Sequence, residues 1–281
     1  MKLASFNTNN VSKFGIVTDR GVIDLTEKLN HKYADLKSFI ANDGFKELNN
    51  IDLEEVDYSI NEITYTPLIA NPNKIICIGV NYDEHRIEVN REKVDYPTIF
   101  FRLAESQIGH NEDMIVPKVS SRLDFEGEVA VIIGKEGKNI DKEDVYDYIV
   151  GYSCYNDGTI RDWQVHTSQW GPGKNFDGTG AFGPWMITKD EIKDDEVLQI
   201  ETRLNGEVMQ SSSTDMLIFP IRELVSYIST FTTLRPGDVI VTGTPGGVGN
   251  KRNPQVFMKD GDTVEVEVSK IGILSNRVKA D

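Results

Sequence analysis

Cysteine is scarce, with two residues, Cys77 and Cys154, among 281. Both stand in apolar, strand-like settings, KIICIGV and GYSCYND, so buried thiols are expected rather than a disulfide. No apolar run approaches the roughly 20 residues that a membrane-spanning helix needs. The start, MKLASFNTNN, lacks the basic-then-apolar build of a signal peptide, and a cytoplasmic protein is the expectation. Basic residues are also short in number, 30 Lys and Arg against 45 Asp and Glu, for a formal net charge of −15. Such a field opposes phosphate backbones and anionic membranes, which disfavours nucleic-acid and membrane partners. An anionic substrate would need locally placed cations or a metal. No repeat or low-complexity tract interrupts the chain, and 39% hydrophobic with 27% charged residues is ordinary for a globular protein.

What is present is mostly strand. The first seventy residues read as short strands (KLASF, FGIVT, GVIDL) and a helical stretch, ADLKSFIANDGF, a small N-terminal unit without a catalytic constellation. PLIANPNK, residues 67 to 74, holds two prolines and two asparagines and is the expected boundary, giving domains of 1–70 and 71–281. Beyond it KIICIGV, PTIFFRL, EVAVIIG and YIVGYSCYN read as strands, and DEHRIEVNREK is helix-like with Asn81 available as N-cap. DKEDVYDYI and PIRELVSYISTF carry helical spacing, the second with Pro220 at a first-turn position. Asn-Gly in ETRLNGEVMQ and Asp-Gly in MKDGDTVEVEV are hairpin signals. The fold class expected is mainly β (α+β) with peripheral helices, without the βαβ rhythm of a doubly wound sheet.

DFEGEVAVIIGK, residues 124 to 135, sets Asp124, Glu126 and Glu128 at alternate positions. On one strand these point the same way, about 7 Å apart per pair, near enough to share a cation and to repel without it. A solvent-facing acidic stripe is the plainer reading. The flanking AVIIG argues for burial, and Asp157 ends another apolar strand, so a site for Mg²⁺, Mn²⁺ or Ca²⁺ is the other reading.

KIICIGVNYDEHRIE, DFEGEVAVIIGK, YNDGTIRDWQ, GPGKNFDGTGAFGPW, LNGEVMQ and LRPGDVIVTGTPGGVG follow in this order. Together they resemble the fumarylacetoacetate hydrolase superfamily from about Lys74 to the C-terminus, with the first seventy residues similar to the small N-terminal domain of many members. The resemblance implies a β-sandwich roll, a homodimer and one divalent cation, Mg²⁺ or Mn²⁺ with Ca²⁺ as a crystallographic substitute, held by Glu126, Glu128 and Asp157. No organic cofactor is implied. Asp124 is left without a ligand role, as a supporting or surface residue.

His85 and Glu88 fall at i and i+3 on one helical face, and a carboxylate on an imidazole raises its basicity. By itself such a pair is usually a solvated contact; in hydrolytic members of the family the helix resembles a lid carrying the water-activating dyad. Lys174 lies in a glycine-rich segment, either as a surface lysine or, by resemblance, as the GKNFD lysine facing the substrate. Arg161 and Gln164, three residues apart, can offer a bidentate cation and a neutral donor, or decorate a helix surface. Ile160 departs from the alanine usual there, and Asp162 is expected to be structural. TGTPGGVG lacks the Walker lysine, so it reads as a tight turn presenting Thr244 and backbone N–H groups rather than a nucleotide loop. Arg102 is expected at the pocket edge or paired with a surface acid, and Tyr82, Trp170 and Phe176 are expected to shape the pocket. His110 and His166 are not expected as ligands, nor Trp163, Trp170 and Trp185 as a binding stripe.

The reaction implied is hydrolysis of the C–C bond of a small β-diketo acid of acylpyruvate or fumarylpyruvate type through a metal-bound enolate. The same chemistry would serve oxaloacetate-type decarboxylation, isomerisation or hydration of unsaturated 2-oxo dioic acids in aromatic catabolism, or diketo sugar acid cleavage. A catalytically silent ligand-binding member is the non-enzymatic alternative.

Overall fold

The computed structural model describes residues 1–53 and 55–281. Its centre is strand Gly127–Ile133, every residue of which is buried. Alternation explains how. Val129, Val131 and Ile133 enter one apolar core while Ala130 and Ile132 enter another, so both faces of the strand are covered and the sequence reads as a continuous apolar run.

The strand belongs to an eleven-stranded mixed sheet. In order across it lie Gly21–Asp24, Val11–Thr18, Lys2–Thr8, Gly180–Thr188, Ile149–Asp157, Gly127–Ile133, Val239–Val241, Ile75–Gly79 and Thr98–Arg102, with Thr64–Tyr65 joined beside Lys2–Thr8 and Gln107–Ile108 beside Gly180–Thr188. A five-stranded sheet of Glu207–Ser213, Gln199–Leu204, Thr263–Val268, Gly272–Ala280 and Met114–Val116 lies against it. Ile200, Leu204, Val264, Val266 and Leu274 of this second sheet share the first core with Val129 and Val131. The architecture is the mainly β one with peripheral helices that the sequence implied.

The N-terminal strands continue the large sheet: Lys2 and Leu3 pair antiparallel with Ile187 and Met186. Leu68 and Ile69, inside the proline- and asparagine-rich boundary segment, are buried beside that junction. Leu36–Ala41 forms the expected helix, with Asp35 and Ser38 closing a capping box. Asn205-Gly206 forms the expected hairpin between Gln199–Leu204 and Glu207–Ser213.

Three local expectations fail. Asp260-Gly261 leads into strand Thr263–Val268, but the hairpin partner of that strand is Gly272–Ala280, through a turn in which Lys270 has φ 65°. Asn81 does not cap the helix Asp83–Glu88. Its amide bonds Phe219 and Thr242 backbone groups, tying two distant segments together, and Tyr82 takes the cap position with no side-chain bond to the helix. DKEDVYDYI yields a short 3₁₀ turn, Val145–Tyr148, whereas PIRELVSYISTF yields a full helix, Ile221–Phe231, with Pro220 one position ahead of it. Both cysteines are buried free thiols.

Candidate active site

The three acids of DFEGE do not share one strand. Leu123–Asp124 pairs with Thr159–Ile160 in a separate ribbon, and the large sheet takes over at Gly127. Glu126 stands at the break between the two. Its carbonyl accepts from the Asp157 N–H at 2.8 Å and its own N–H donates to Asn156 Oδ1, so the antiparallel register that puts Gly127 opposite Asn156 sets Asp157 beside Glu126. One carboxylate oxygen from each of Glu126, Glu128 and Asp157 falls within 4.8 Å of the others, and all three residues are buried.

Three cations reach this cluster. Lys174, 1% exposed, contacts Glu126 and lies 2.6 Å from Asp157 Oδ2. Arg161 places Nη2 2.7 Å from Glu126 Oε1 and Nε 2.7 Å from Asp124 Oδ2. Arg102 donates from Nη1 to Asp157 Oδ1 at 2.6 Å and from Nη2 to Thr179. Among the described residues no cation pairs with Glu128; its Oε2 accepts the Gly243 N–H.

The electrostatics follow. Burial would raise the Glu126 carboxyl, but Arg161 and Lys174 outweigh it and hold that group well below the usual range. Burial, then repulsion from Asp157 and Glu126, pushes Glu128 well above it. Asp157 is also pushed up by burial, against the pull of Lys174 and Arg102. A divalent cation at the cluster suits all three: the donors are hard oxygens at mutual reach, and of the three Glu128 is the one without an ion pair.

The cluster opens into a cavity of about 180 Å³ whose wall includes His85, Arg161, Gln164, Trp170, Lys174 and Thr244. His85 Nδ1 lies 2.9 Å from Glu88 Oε2, and Glu88 Oε1 accepts the Gly247 N–H at 3.0 Å. The dyad is formed, and a backbone bond fixes its carboxylate. Gln164 accepts from Arg161 Nη1 at 3.1 Å across the short helix Arg161–Gln164.

Several expected positions differ. Arg102 is 3% exposed and wholly engaged behind Asp157, so it is neither a pocket-edge cation nor a surface pair. Tyr82 is buried under an isolated bridge to Leu217 and does not line the cavity; nor does Phe176, which packs edge-on against Trp163. Thr244 is on the wall, but its hydroxyl donates to the Gly127 carbonyl and accepts from Gln210. The N–H groups of the TGTPGGVG turn face acids of the protein: Gly243 bonds Glu128, Gly247 bonds Glu88, and Gly249 bonds Asp124.

Asp124 is no surface residue. Fully buried, it accepts from the N–H groups of Phe125, Gly249 and Asn250 and from Arg161. Gln210 escaped sequence reading although its motif LNGEVMQ was visible; its Oε1 accepts the Gly127 N–H and its Nε2 bonds Thr244 and Pro245. Val80, also on the wall, has φ 57°, a left-handed conformation that costs a β-branched residue about 1–3 kcal/mol and that no sequence pattern announces. His110 and His166 lie outside the acid cluster, Trp170 walls the cavity beside Phe100, and Trp185 packs on the second sheet through the Ile271 carbonyl.

Comparison with known proteins identifies the family. Residues 74–279 match the fumarylacetoacetate (FAA) hydrolase C-terminal family. An oxaloacetate tautomerase, mitochondrial, of Rattus norvegicus is 41% identical over 218 residues, covering 77% of this chain and 70% of its own. The solved fumarylacetoacetate hydrolase of Exiguobacterium antarcticum superposes with a TM-score of 0.89 at 32% identity, covering both chains fully. A maleylpyruvate hydrolase of Sphingobium sp. SYK-6, solved with manganese(II) and pyruvate, gives 0.83 at 26% identity over 100% of this chain and 99% of its own. With the matched segment spanning the acids, the dyad and the glycine turn alike, the chain belongs to the fumarylacetoacetate hydrolase family.

Proposed function

We propose that this protein is a divalent-metal-dependent enzyme that moves a proton at the carbon beside the carbonyl of a small 2-oxo acid, with oxaloacetate keto–enol tautomerisation as its reaction. The observation that carries the reading is the placement of His85, bonded to Glu88, on the same small cavity as Glu126, Glu128 and Asp157. Support comes from the oxaloacetate tautomerase at 41% identity and from the pyruvate and manganese in the maleylpyruvate hydrolase structure.

Glu126, Glu128 and Asp157 would hold the cation, Mg²⁺ or Mn²⁺, which supplies Lewis acidity toward the 2-oxo carbonyl. Arg161 and Lys174, both ion-paired to Glu126 and on the same wall, add positive charge beside the adjacent carboxylate. Glu88, engaged at Nδ1, leaves Nε2 as the His85 nitrogen that exchanges a proton with the substrate. In the keto-to-enol direction His85 takes one C3 proton, the electron pair of that C–H bond becomes the C2=C3 double bond, the carbonyl π pair moves onto the 2-oxo oxygen, and that oxygen takes a proton from the protonated His85 or from solvent. The reverse returns the proton to C3.

The test is the enol–keto interconversion of oxaloacetate, with deuterium exchange at C3, by Mn²⁺-loaded protein. Chelation should abolish both, readdition of Mg²⁺ or Mn²⁺ should restore them, and His85→Ala should lower the rate by about 10²–10⁴ while leaving metal affinity nearly unchanged. Full activity after chelation, or an unaffected His85→Ala variant, would overturn the reading.

A second reading is hydrolysis of an acylpyruvate, in which the same dyad activates water for attack on the distal ketone. The Gly247 bond to Glu88 favours it, because a fixed carboxylate suits a base that must hold a water in line. Product analysis with an acylpyruvate separates the two.

A further inference from the structure

The cavity wall changes character with depth. Its inner end holds the buried Glu126, Glu128, Asp157 and Lys174, and its outer end carries Arg91, Asn250 and Lys251. Arg91 and Lys251 are both exposed, so they stand at the mouth. They come from different segments, Arg91 just after the helix Asp83–Glu88 and Lys251 at the end of the short 3₁₀ turn Gly249–Lys251.

Inner and outer cations differ in a second way. Lys174 and Arg161 are spent on Glu126, Asp157 and Asp124. Among the described residues no carboxylate pairs with the Arg91 guanidinium or the Lys251 ammonium. The neighbouring Arg86 shows what is usual here, since its Nε is bonded to Asp83 at 2.8 Å. Other exposed cations, Lys93 and Lys259 among them, also lack a carboxylate partner among the described residues, so what singles out Arg91 and Lys251 is that both stand on the wall of one cavity in a chain of net charge −15.

We infer that Arg91 and Lys251 form the subsite for a second carboxylate, making this a dicarboxylate-selective site: the inner end takes the 2-oxo acid head, and the mouth takes an anionic tail. The inference rests on the 2-oxo acid reading of the inner end and adds to it the residues that hold the second carboxylate. A guanidinium can take a carboxylate bidentately and an ammonium can add a third donor, whereas a methyl or alkyl tail would leave both cations hydrated and gain nothing from them. Both groups are solvent-facing, so their effect should weaken as salt rises.

The test measures binding, which is independent of turnover. Calorimetric Kd values for Mn²⁺-loaded protein are compared for oxaloacetate and for 2-oxobutyrate, which carries a methyl group where oxaloacetate carries its C4 carboxylate. Wild-type protein should prefer oxaloacetate by about ten- to a hundredfold, the scale of a charged hydrogen-bonded contact. The preference should shrink at high ionic strength. The Arg91→Met/Lys251→Met double variant should lose most of it through weaker oxaloacetate binding, with the 2-oxobutyrate Kd and the Mn²⁺ affinity unchanged. Lys93→Met, which removes an exposed cation of the same segment away from the wall, should retain the preference. An unchanged ratio in the double variant, an equal fall with Lys93→Met, or no wild-type preference would each overturn the inference. Intact preference without turnover of oxaloacetate would instead count against the enzymatic reading alone and leave the subsite standing.

Discussion

Asp124 and Glu126 sit two residues apart and do different work. Glu126 is one of three acids converging on a common point, while Asp124 is saturated by three backbone N–H groups and Arg161. Glu126→Gln should therefore lose far more metal affinity than Asp124→Asn, measured by Mn²⁺ titration. Asp124→Ala should instead cost stability, about 3–5 kcal/mol in urea unfolding, because it strands buried donors. Equal losses of affinity from Glu126→Gln and Asp124→Asn would contradict this division. His110 supplies a pH signal away from the acid cluster. Its Nδ1 accepts the Ser275 N–H, its ring meets Tyr65 edge-on, and burial pushes the imidazole down to about 4. The unfolded chain binds that proton near pH 6.5 and the folded one does not, so stability contributed by this group is unaffected above about pH 6.5 and falls as pH drops from there toward 4, by up to about 3 kcal/mol. His110→Gln, which keeps an acceptor, should flatten that part of the stability profile. At this scale the convergence of the three acids, Lys174, Arg161 and the His85–Glu88 pair was legible because each is a chemically distinctive residue in a recognisable motif. The buried fate of Arg102 and Asp124 was not, since whether a charge faces solvent depends on which strand crosses over it.

The close approach of the two sheets turns on Gly127. A Cβ there would stand 2.0 Å from Thr202 Oγ1 on the facing strand Gln199–Leu204 and 3.3 Å from its Cβ. Gly127→Ala should destabilise by about 1–3 kcal/mol, and Thr202→Ala, by removing the clashing oxygen, should recover part of that loss. Thermal unfolding of the two single variants and the double variant checks the coupling; strict additivity would mean the sheets are not in contact there. Legibility was uneven at this scale too. The Asn205-Gly206 hairpin was readable because two alternating runs flank it directly. Asp260-Gly261 misled because the pattern before it is not the strand that pairs with Thr263–Val268. Asn81 misled for a tertiary reason: its side chain is worth more as a three-bond tie to Phe219 and Thr242 than as a cap on a six-residue helix.

Across the whole molecule the second core joins distant parts of the chain. Leu3, Phe14, Leu36 and Phe39 pack with Ala130, Ile132, Phe182 and Met186. Removing residues 1–70 should uncover that apolar face and the edge of strand Gly180–Thr188 together, giving a fragment that aggregates on size-exclusion chromatography. A monodisperse fragment unfolding at the wild-type temperature would contradict it. The mainly β class was legible from the strand-like runs, but the strand order was not, because parallel and crossover pairings leave no mark on local sequence. The pairing of Lys2 and Leu3 with Met186 and Ile187 also bears on how the protein is made. At a ribosomal pace of about 5–20 residues per second, the first strand waits roughly ten to forty seconds for its partner. The strand that closes this pairing follows directly on the stretch carrying Asp157 and Lys174, so the partner of the first strand and two groups of the acid cluster leave the ribosome close together.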